Sequence, residues 1–265
     1  EEGPPPGEEG GAELMVKEGV LTNPDVDAIF GLHISSKSTA GQVLLKPGSI
    51  MAAVDEFRID LTGVQTHGST PWTGIDPIVT ASQMINSIQT IVSRSMPLTT
   101  AAAVVTIGSI HGGVRSNIIP EKLYMLGTIR TLDNNMRATV LKRLDEIVQN
   151  VAAANNVKAD VTFMNSYPVT YNDPELYEKM LPTLKRVCGA DNVNYMDAIT
   201  GAEDFSFFQK EVPGVYFFIG GSSEGMDLDM VAPHHTPDFY VDDSALETGV
   251  VSMTSLTMDY FTKGL

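Results

Sequence analysis

Apolar positions in the middle of the chain alternate first with the period of a strand and then with that of a helix. Alternating apolar residues predict a half-buried strand from about Asp55. A polar loop, Gly63 to Gly74, follows it. Asp76-Pro77 then predicts the start of a helix, because proline is favoured in the first helical turn. Apolar residues recur along this helix at three- and four-residue spacing: Ile78, Ala81, Ile85, Ile88 and Val92.

Four more predicted elements complete this central pattern. Two strand-like runs, Ala101 to Ile110 and Glu121 to Leu132, are joined by a glycine-containing loop. A second helix, with Val140 on its apolar face, precedes a last strand around Val161. The order β-α-β-β-α-β is that of a ferredoxin-like unit. We therefore predict a ferredoxin-like α+β module over residues 50–168, inserted into another domain.

The flanking segments, residues 1–49 and 169–265, together have the pattern of a split α/β domain. A short apolar strand is predicted from Asp27 to Ile34, ending at His33, and a buried strand from Val215 to Ile219. A last helix is predicted from about Asp242 to Phe261, and it carries four apolar residues: Leu246, Val250, Met253 and Leu256.

The charge of the chain narrows its range of partners. Its 265 residues include 17 Lys and Arg against 33 Asp and Glu, a formal net charge of −16. Such a surface repels nucleic-acid phosphates and anionic membranes. No apolar run approaches the length of a membrane span. The single cysteine, Cys188, excludes an internal disulfide framework and a multi-cysteine zinc site. We expect neither nucleic acid nor a membrane as a partner.

Histidines and paired carboxylates are the residues best suited to metal chemistry. His33 ends a predicted strand, where open α/β sheets bind ligands, although a core histidine is the commoner meaning of this setting. His234-His235 lies in a proline-bounded loop, where adjacent side chains diverge, so at most one is expected to bind a metal. Glu1-Glu2 can combine a metal ligand with a general base, or form a solvated acidic turn.

Other polar residues suit substrate binding. His67, in THGSTP, can polarise a carbonyl or lie on the surface. Arg130 interrupts an apolar strand and needs an anionic partner, either a structural carboxylate or a substrate carboxylate. Asn117, in RSNIIP, can add amide donors to that anion. Glu203-Asp204 is equally consistent with a functional site and with a helix cap.

Taken in order, these segments resemble one enzyme family. The motifs are EEGPPPGEEGGAELM, DAIFGLHI, GVQTHGSTPWTGIDPI, SNIIP, GTIRTLD, GAEDFSFF and HHTPDFYVDD. Across essentially the whole chain they are similar to the two-metal amidohydrolases of the aminoacylase and carboxypeptidase-G type, in particular the hippurate hydrolase and indoleacetyl-amino-acid hydrolase branch. The resemblance implies an incomplete zinc-peptidase-like α/β domain, with an inserted ferredoxin-like α+β domain for dimerisation or as a lid.

The resemblance also implies a catalytic centre with two divalent metal ions, zinc, manganese or cobalt. Glu1 matches the general base that activates water, and Glu2 matches a metal ligand. His33 matches a ligand of the second metal, and His235 matches the carboxyl-terminal metal ligand. The implied reaction is hydrolysis of the amide bond of an N-acyl amino acid or a similar amide.

The inserted domain is implied to complete that centre. His67 matches the histidine that stabilises the oxyanion, usually in the partner subunit's site, and Asn117 and Arg130 match residues that hold the substrate carboxylate. The inserted domain is also the one through which the family forms homodimers. A homodimer that binds a small amide substrate is therefore expected.

The resemblance departs from the family pattern at the amino terminus. Family members carry a further segment before the Glu-Glu pair, with another histidine ligand and the ligand that bridges the metals. We therefore expect partial or no metal occupancy in this chain, and little or no activity from it alone. Two alternatives remain: a non-catalytic dimer that binds small carboxylates, and an esterase that uses the same metal site.

Overall fold

The computed structural model describes residues 11–263, apart from the side chains of residues 165 and 166, as a mixture of strands and helices. The strands are β1 (Ile29–Thr39), β2 (Val43–Leu45), β3 (Gly48–Met51), β4 (Ala53–Thr62), β5 (Thr66–His67), β6 (Ala103–Gly112), β7 (Ile118–Ile119), β8 (Lys122–Thr131), β9 (Lys158–Tyr167), β10 (Thr170–Asn172), β11 (Val193–Tyr195) and β12 (Gly214–Ser222). The α-helices are α1 (Gly11–Lys17), α2 (Pro77–Thr90), α3 (Asn134–Ala154), α4 (Pro174–Cys188), α5 (Ser206–Glu211) and α6 (Ser244–Thr262).

The chain divides into two compact units, one inserted into the other. The outer unit contains the described residues up to Met51, then Thr170–Ile199, then those from Glu203 onward. The inserted unit contains Ala52–Val169 and Thr200–Ala202. Each unit has its own sheet and its own apolar core.

The outer unit is built on a four-stranded sheet of order β1-β12-β2-β11. β12 lies inside this sheet and every one of its residues is buried, as expected for the apolar run VYFFI. β1 runs parallel to β12, with His33 opposite Phe218. The prediction that this strand ends at His33 is wrong, because β1 continues to Thr39. The polar residues that follow His33, up to Thr39, therefore also belong to the sheet.

Helix α6 packs on this sheet through small residues. Its buried residues are Ala245, Gly249, Ser252 and Leu256. Of the apolar residues that the sequence gives this helix, Leu256 is buried, whereas Leu246 and Val250 are 57% and 66% exposed. A Cβ on Gly249 would lie 3.2 Å from Ile219, so only a small side chain permits this close approach of helix and sheet. No helix within residues 11–263 is long and apolar enough to cross a membrane.

The inserted unit confirms the predicted ferredoxin-like pattern. Its antiparallel sheet has the order β6-β8-β4-β9, and α2 and α3 complete the sequence β-α-β-β-α-β. Asp76 caps α2 by accepting hydrogen bonds from the backbone N–H groups of Ile78 and Val79. The core between helices and sheet includes Phe57 and Met125, both fully buried. A short ladder of β5 and β7 lies outside this sheet.

Candidate active site

The predicted site residues are distributed over both units. Glu1 and Glu2 lie outside the described residues. His33 and His235 belong to the outer unit. His67, Asn117 and Arg130 belong to the inserted unit.

His33 has a defined tautomer, fixed by its own strand. The side chain is half-buried on β1, and its ring centroid lies 5.7 Å from that of Phe218. Nδ1 lies 2.6 Å from the backbone oxygen of Ile34. A carbonyl oxygen only accepts hydrogen bonds, so Nδ1 carries the proton and, in the neutral ring, Nε2 keeps its lone pair. A histidine oriented in this way is suited to bind a metal through Nε2.

His234 connects its loop to β1. Its ring stacks on that of His33, with centroids 5.3 Å apart and planes 5° apart. Its Nε2 accepts a hydrogen bond from the backbone N–H of Ser36 at 3.0 Å. Burial lowers the pKa of His234, and the nearby His33 and His235 lower it further. Because Nε2 is already engaged, His234 has a structural role in this arrangement.

His235 has a different environment from its neighbour. Its backbone adopts a left-handed conformation with φ of 60°, which is uncommon for a residue other than glycine. The side chain is exposed, and its ring centroid lies 6.5 Å from that of His234. Within residues 11–263, no group of three or more His, Cys, Asp and Glu side chains is arranged to hold a metal ion. His33 and His235 are therefore candidate ligands that need partners from beyond this region.

The Glu203-Asp204 pair has two separate structural roles. Glu203 is 8% exposed, and its Oε2 accepts a hydrogen bond from the Tyr216 hydroxyl at 2.6 Å. Asp204 accepts one from the backbone N–H of Ala12 at 2.7 Å, in the first turn of α1. The helix-cap interpretation is therefore right for Asp204, but the helix it caps is α1 and not the following α5. Tyr216 was missed because it lies within an apolar run.

The inserted unit brings His67 and Asn117 together. β5 and β7 pair His67 with Ile118, and the backbone oxygen of Asn117 accepts a hydrogen bond from Gly68 N–H at 2.8 Å. Nδ1 of His67 accepts a hydrogen bond from the Ser69 backbone N–H at 3.0 Å. In the neutral ring the proton is therefore on Nε2, which makes His67 a hydrogen-bond donor at an exposed position.

Arg130 lies elsewhere on the same unit. It is half-buried on β8, opposite Val54 and Val104, and on the sheet face away from the helices because its neighbour Ile129 is buried in the core. Among the described residues, the Arg130 guanidinium has neither a hydrogen bond nor an ion pair. The structural carboxylate that the sequence analysis gave as one alternative is thus not found among the described residues.

Asn117 and Arg130 lie toward opposite ends of the sheet. Lys122 begins β8 opposite Thr62, and Arg130 lies near the other end of that strand. Roughly 27 Å of extended strand separates Arg130 from Lys122. Asn117 precedes Lys122 in the chain, beyond that end of β8. Within one chain, the two side chains are poorly placed to hold the same carboxylate.

The chain is similar to hydrolases that belong to one known family. The model of peptidase family M20/M25/M40 matches residues 1–259. Thermostable carboxypeptidase 2 of Saccharolobus solfataricus is 35% identical over 255 residues, covering 96% of this chain and 63% of that protein. N-acetyldiaminopimelate deacetylase of Bacillus velezensis is 36% identical over 265 residues, covering 99% of this chain and 66% of that protein.

A solved structure shares the fold. The crystal structure of the Bacillus subtilis YXEP protein is described as that of a dinuclear metal binding peptidase from the M20 family. It matches with a TM-score of 0.70 and 27% identity, over 91% of this chain and 59% of that one. The chain thus spans less than two thirds of the length of each of these three proteins.

Proposed function

The chain belongs to peptidase family M20/M25/M40, and we propose that its function is the metal-dependent hydrolysis of N-acyl amino acids or similar amides. The observation that carries this proposal is the tautomer of His33, whose Nε2 lone pair is left available by the hydrogen bond to Ile34. The names of the similar proteins, a carboxypeptidase and a deacetylase of an N-acetylated amino acid, support an amide substrate.

We propose that two divalent ions, zinc, manganese or cobalt, serve the reaction. His33 and His235 would hold them, together with Glu2 and further ligands that, like Glu2, lie outside the described residues. Imidazole and carboxylate donors are those that these metals prefer in hydrolytic sites. When bound, the ions polarise the amide carbonyl and lower the pKa of water.

The proton transfers and substrate contacts fall to the protein side chains. Glu1 would accept the proton of the attacking water and pass it to the leaving amine. His67, as an Nε2–H donor, would stabilise the oxyanion that develops on the carbonyl oxygen. Arg130, with no ionic partner among the described residues, would bind the substrate carboxylate through its planar guanidinium, and Asn117 would add amide donors.

The inserted unit is proposed to form a homodimer in which the two protomers share each site. Asn117 and Arg130 lie toward opposite ends of one sheet, yet both are expected to hold the same carboxylate. A two-fold dimer resolves this, because each end of one inserted unit can meet the other end of its partner. His67 and Asn117 would then act in trans, in the site that uses Arg130 of the other protomer.

Hydrolysis of a panel of N-acyl amino acids tests this function. The 265-residue chain and the complete translated product of its gene are each supplied with zinc, manganese or cobalt, and amino-acid release is measured. We expect the complete product to be active, a chelator to abolish the activity, and the 265-residue chain to show little of it. Failure of the complete product with every metal would contradict the proposed function.

A further inference from the structure

A small cavity lies in the loop that carries the histidine pair, between β12 and α6. Its volume is about 280 Å³, and Ser222, the last residue of β12, forms part of its wall. β12 runs parallel to β1, and ligands bind beyond the carboxyl ends of such strands. The other residues that line the cavity lie on both sides of His234-His235 in sequence: Met226, Met230, Val231, Ala232, Asp238 and Tyr240.

The cavity is apolar, and its rim is exposed. Met226, Met230 and Tyr240 are 42%, 80% and 57% exposed. Contiguous exposed apolar side chains commonly mark a binding site. Asp238 is the one charged residue of the lining, so the cavity repels a carboxylate and favours an uncharged apolar group.

Lys37 holds one wall of this cavity in place. Its ammonium group donates hydrogen bonds to the backbone oxygens of Leu228 at 2.9 Å and Val231 at 3.2 Å. The next segment of the loop is fixed by the hydrogen bond from Ser36 N–H to His234. Two consecutive residues of β1 therefore anchor the loop, and an anchored wall lowers the entropic cost of binding.

We propose that this cavity binds the apolar acyl group of the substrate. The identity of the ligand rests on the proposed amide hydrolysis, whereas the cavity itself does not. A cavity of about 150 Å³ holds benzene, so this one has room for an aromatic ring with a short linker. Methionine side chains adapt to irregular shapes, which suits a range of acyl groups. The substrate carboxylate would lie away from Asp238.

Methyl NMR of the 265-residue chain tests the cavity directly. Methionine methyl groups are labelled with ¹³C, and the signals of Met226 and Met230 are assigned with Met226→Leu and Met230→Leu. The chain is titrated with N-benzoylglycine and with N-acetylglycine. We expect both signals to shift with N-benzoylglycine and much less with N-acetylglycine. Met258, which is 57% exposed on α6 and outside the cavity, is the internal control.

A charge placed in the cavity provides the second measurement. Met230→Asp is expected to weaken binding of N-benzoylglycine about tenfold, because the acyl group then meets a second carboxylate. Met258→Asp is the matched control and leaves binding unchanged.

The proposal is overturned if the signals of Met226 and Met230 do not shift, if both ligands shift them equally, or if the signal of Met258 responds as strongly. If the complete product hydrolyses the amides but these signals do not shift, only the cavity proposal is contradicted. If the signals shift but no amide is hydrolysed, the proposed function is contradicted, and the cavity remains a binding site for apolar acyl groups.

Discussion

His234 and His235 are neighbours in sequence with different chemical environments. His234 is half-buried, stacks on His33 and uses its Nε2 to accept a hydrogen bond from Ser36. His235 is exposed in a left-handed turn. The sequence predicts that at most one of them binds a metal, and the hydrogen bond to Ser36 supports His235 as that residue.

Substitution of each histidine in turn tests this assignment. In the complete translated product, His235→Ala is expected to weaken zinc binding by more than about tenfold, since a ligand is removed. His234→Gln is the matched variant and is expected to retain zinc, because its amide can still accept a hydrogen bond. Zinc content is measured by mass spectrometry after equilibrium dialysis. Loss of zinc from His234→Gln together with its retention by His235→Ala would reverse the assignment.

Helices α4 and α6 are joined at the carboxylate of Asp259. This α6 side chain is 14% exposed and interacts with Lys263, the residue that follows α6, and with Thr183 and Arg186 of α4. Hydrogen bonds from these donors hold the pKa of Asp259 well below its ordinary value of 3.8. The folded state therefore binds a proton at this carboxyl less readily than the unfolded state does.

This difference makes the contribution of Asp259 to stability dependent on pH. A carboxyl with a lowered pKa stabilises the fold fully above its unfolded pKa, and the stabilisation is lost as the pH falls below that value. We expect Asp259→Asn to lower the free energy of unfolding at pH 7 and to have a smaller effect at pH 3. Urea unfolding at the two pH values checks this, with Asp160→Asn, on an exposed ion pair, as the control. An equal effect at both pH values would contradict it.

The beginnings of helices were easier to predict than the faces that they bury. The Asp76-Pro77 sequence predicted where α2 begins, and the structure shows that the Asp76 side chain caps this helix, because a cap depends on residues only two or three positions away. The buried face of α6 was not predictable in the same way. Gly249 and Ser252 are buried there because the sheet approaches closely, while Leu246 points to the exposed side.

The positions of three side chains in the inserted unit determine how many copies of the protein one substrate site would need. His67 and Asn117 lie together on the β5–β7 loops, and Arg130 lies toward the far end of β8. If one substrate contacts all three side chains, two copies of the unit have to contribute. Shared sites of this kind can be tested by mixing two inactive variants.

Mixing the His67→Ala and Arg130→Ala variants of the complete product is expected to restore activity. Each homodimer lacks one group in both sites, and loss of an oxyanion donor alone lowers kcat about 10²- to 10³-fold. After subunit exchange, a mixed dimer contains one site with both side chains intact, so about a quarter of the normal activity is expected to return. Amide hydrolysis measures the recovery, and native mass spectrometry verifies that mixed dimers form. Mixed dimers that remain inactive would contradict shared sites.

The order of elements and the ferredoxin-like inserted unit were accessible from periodicity and helix-start signals, and the family from the resemblance of its motifs. These features depend on residues close together in the chain, where local geometry decides the outcome. Four features could be determined only from the tertiary structure. They are the tautomer of His33, the hydrogen bond that His234 accepts, the helix that Asp204 caps, and the separation of Asn117 from Arg130. Each of these features depends on which backbone groups or strand ends lie next to the side chain in the fold. The sequence pattern around that side chain does not reveal which groups those are.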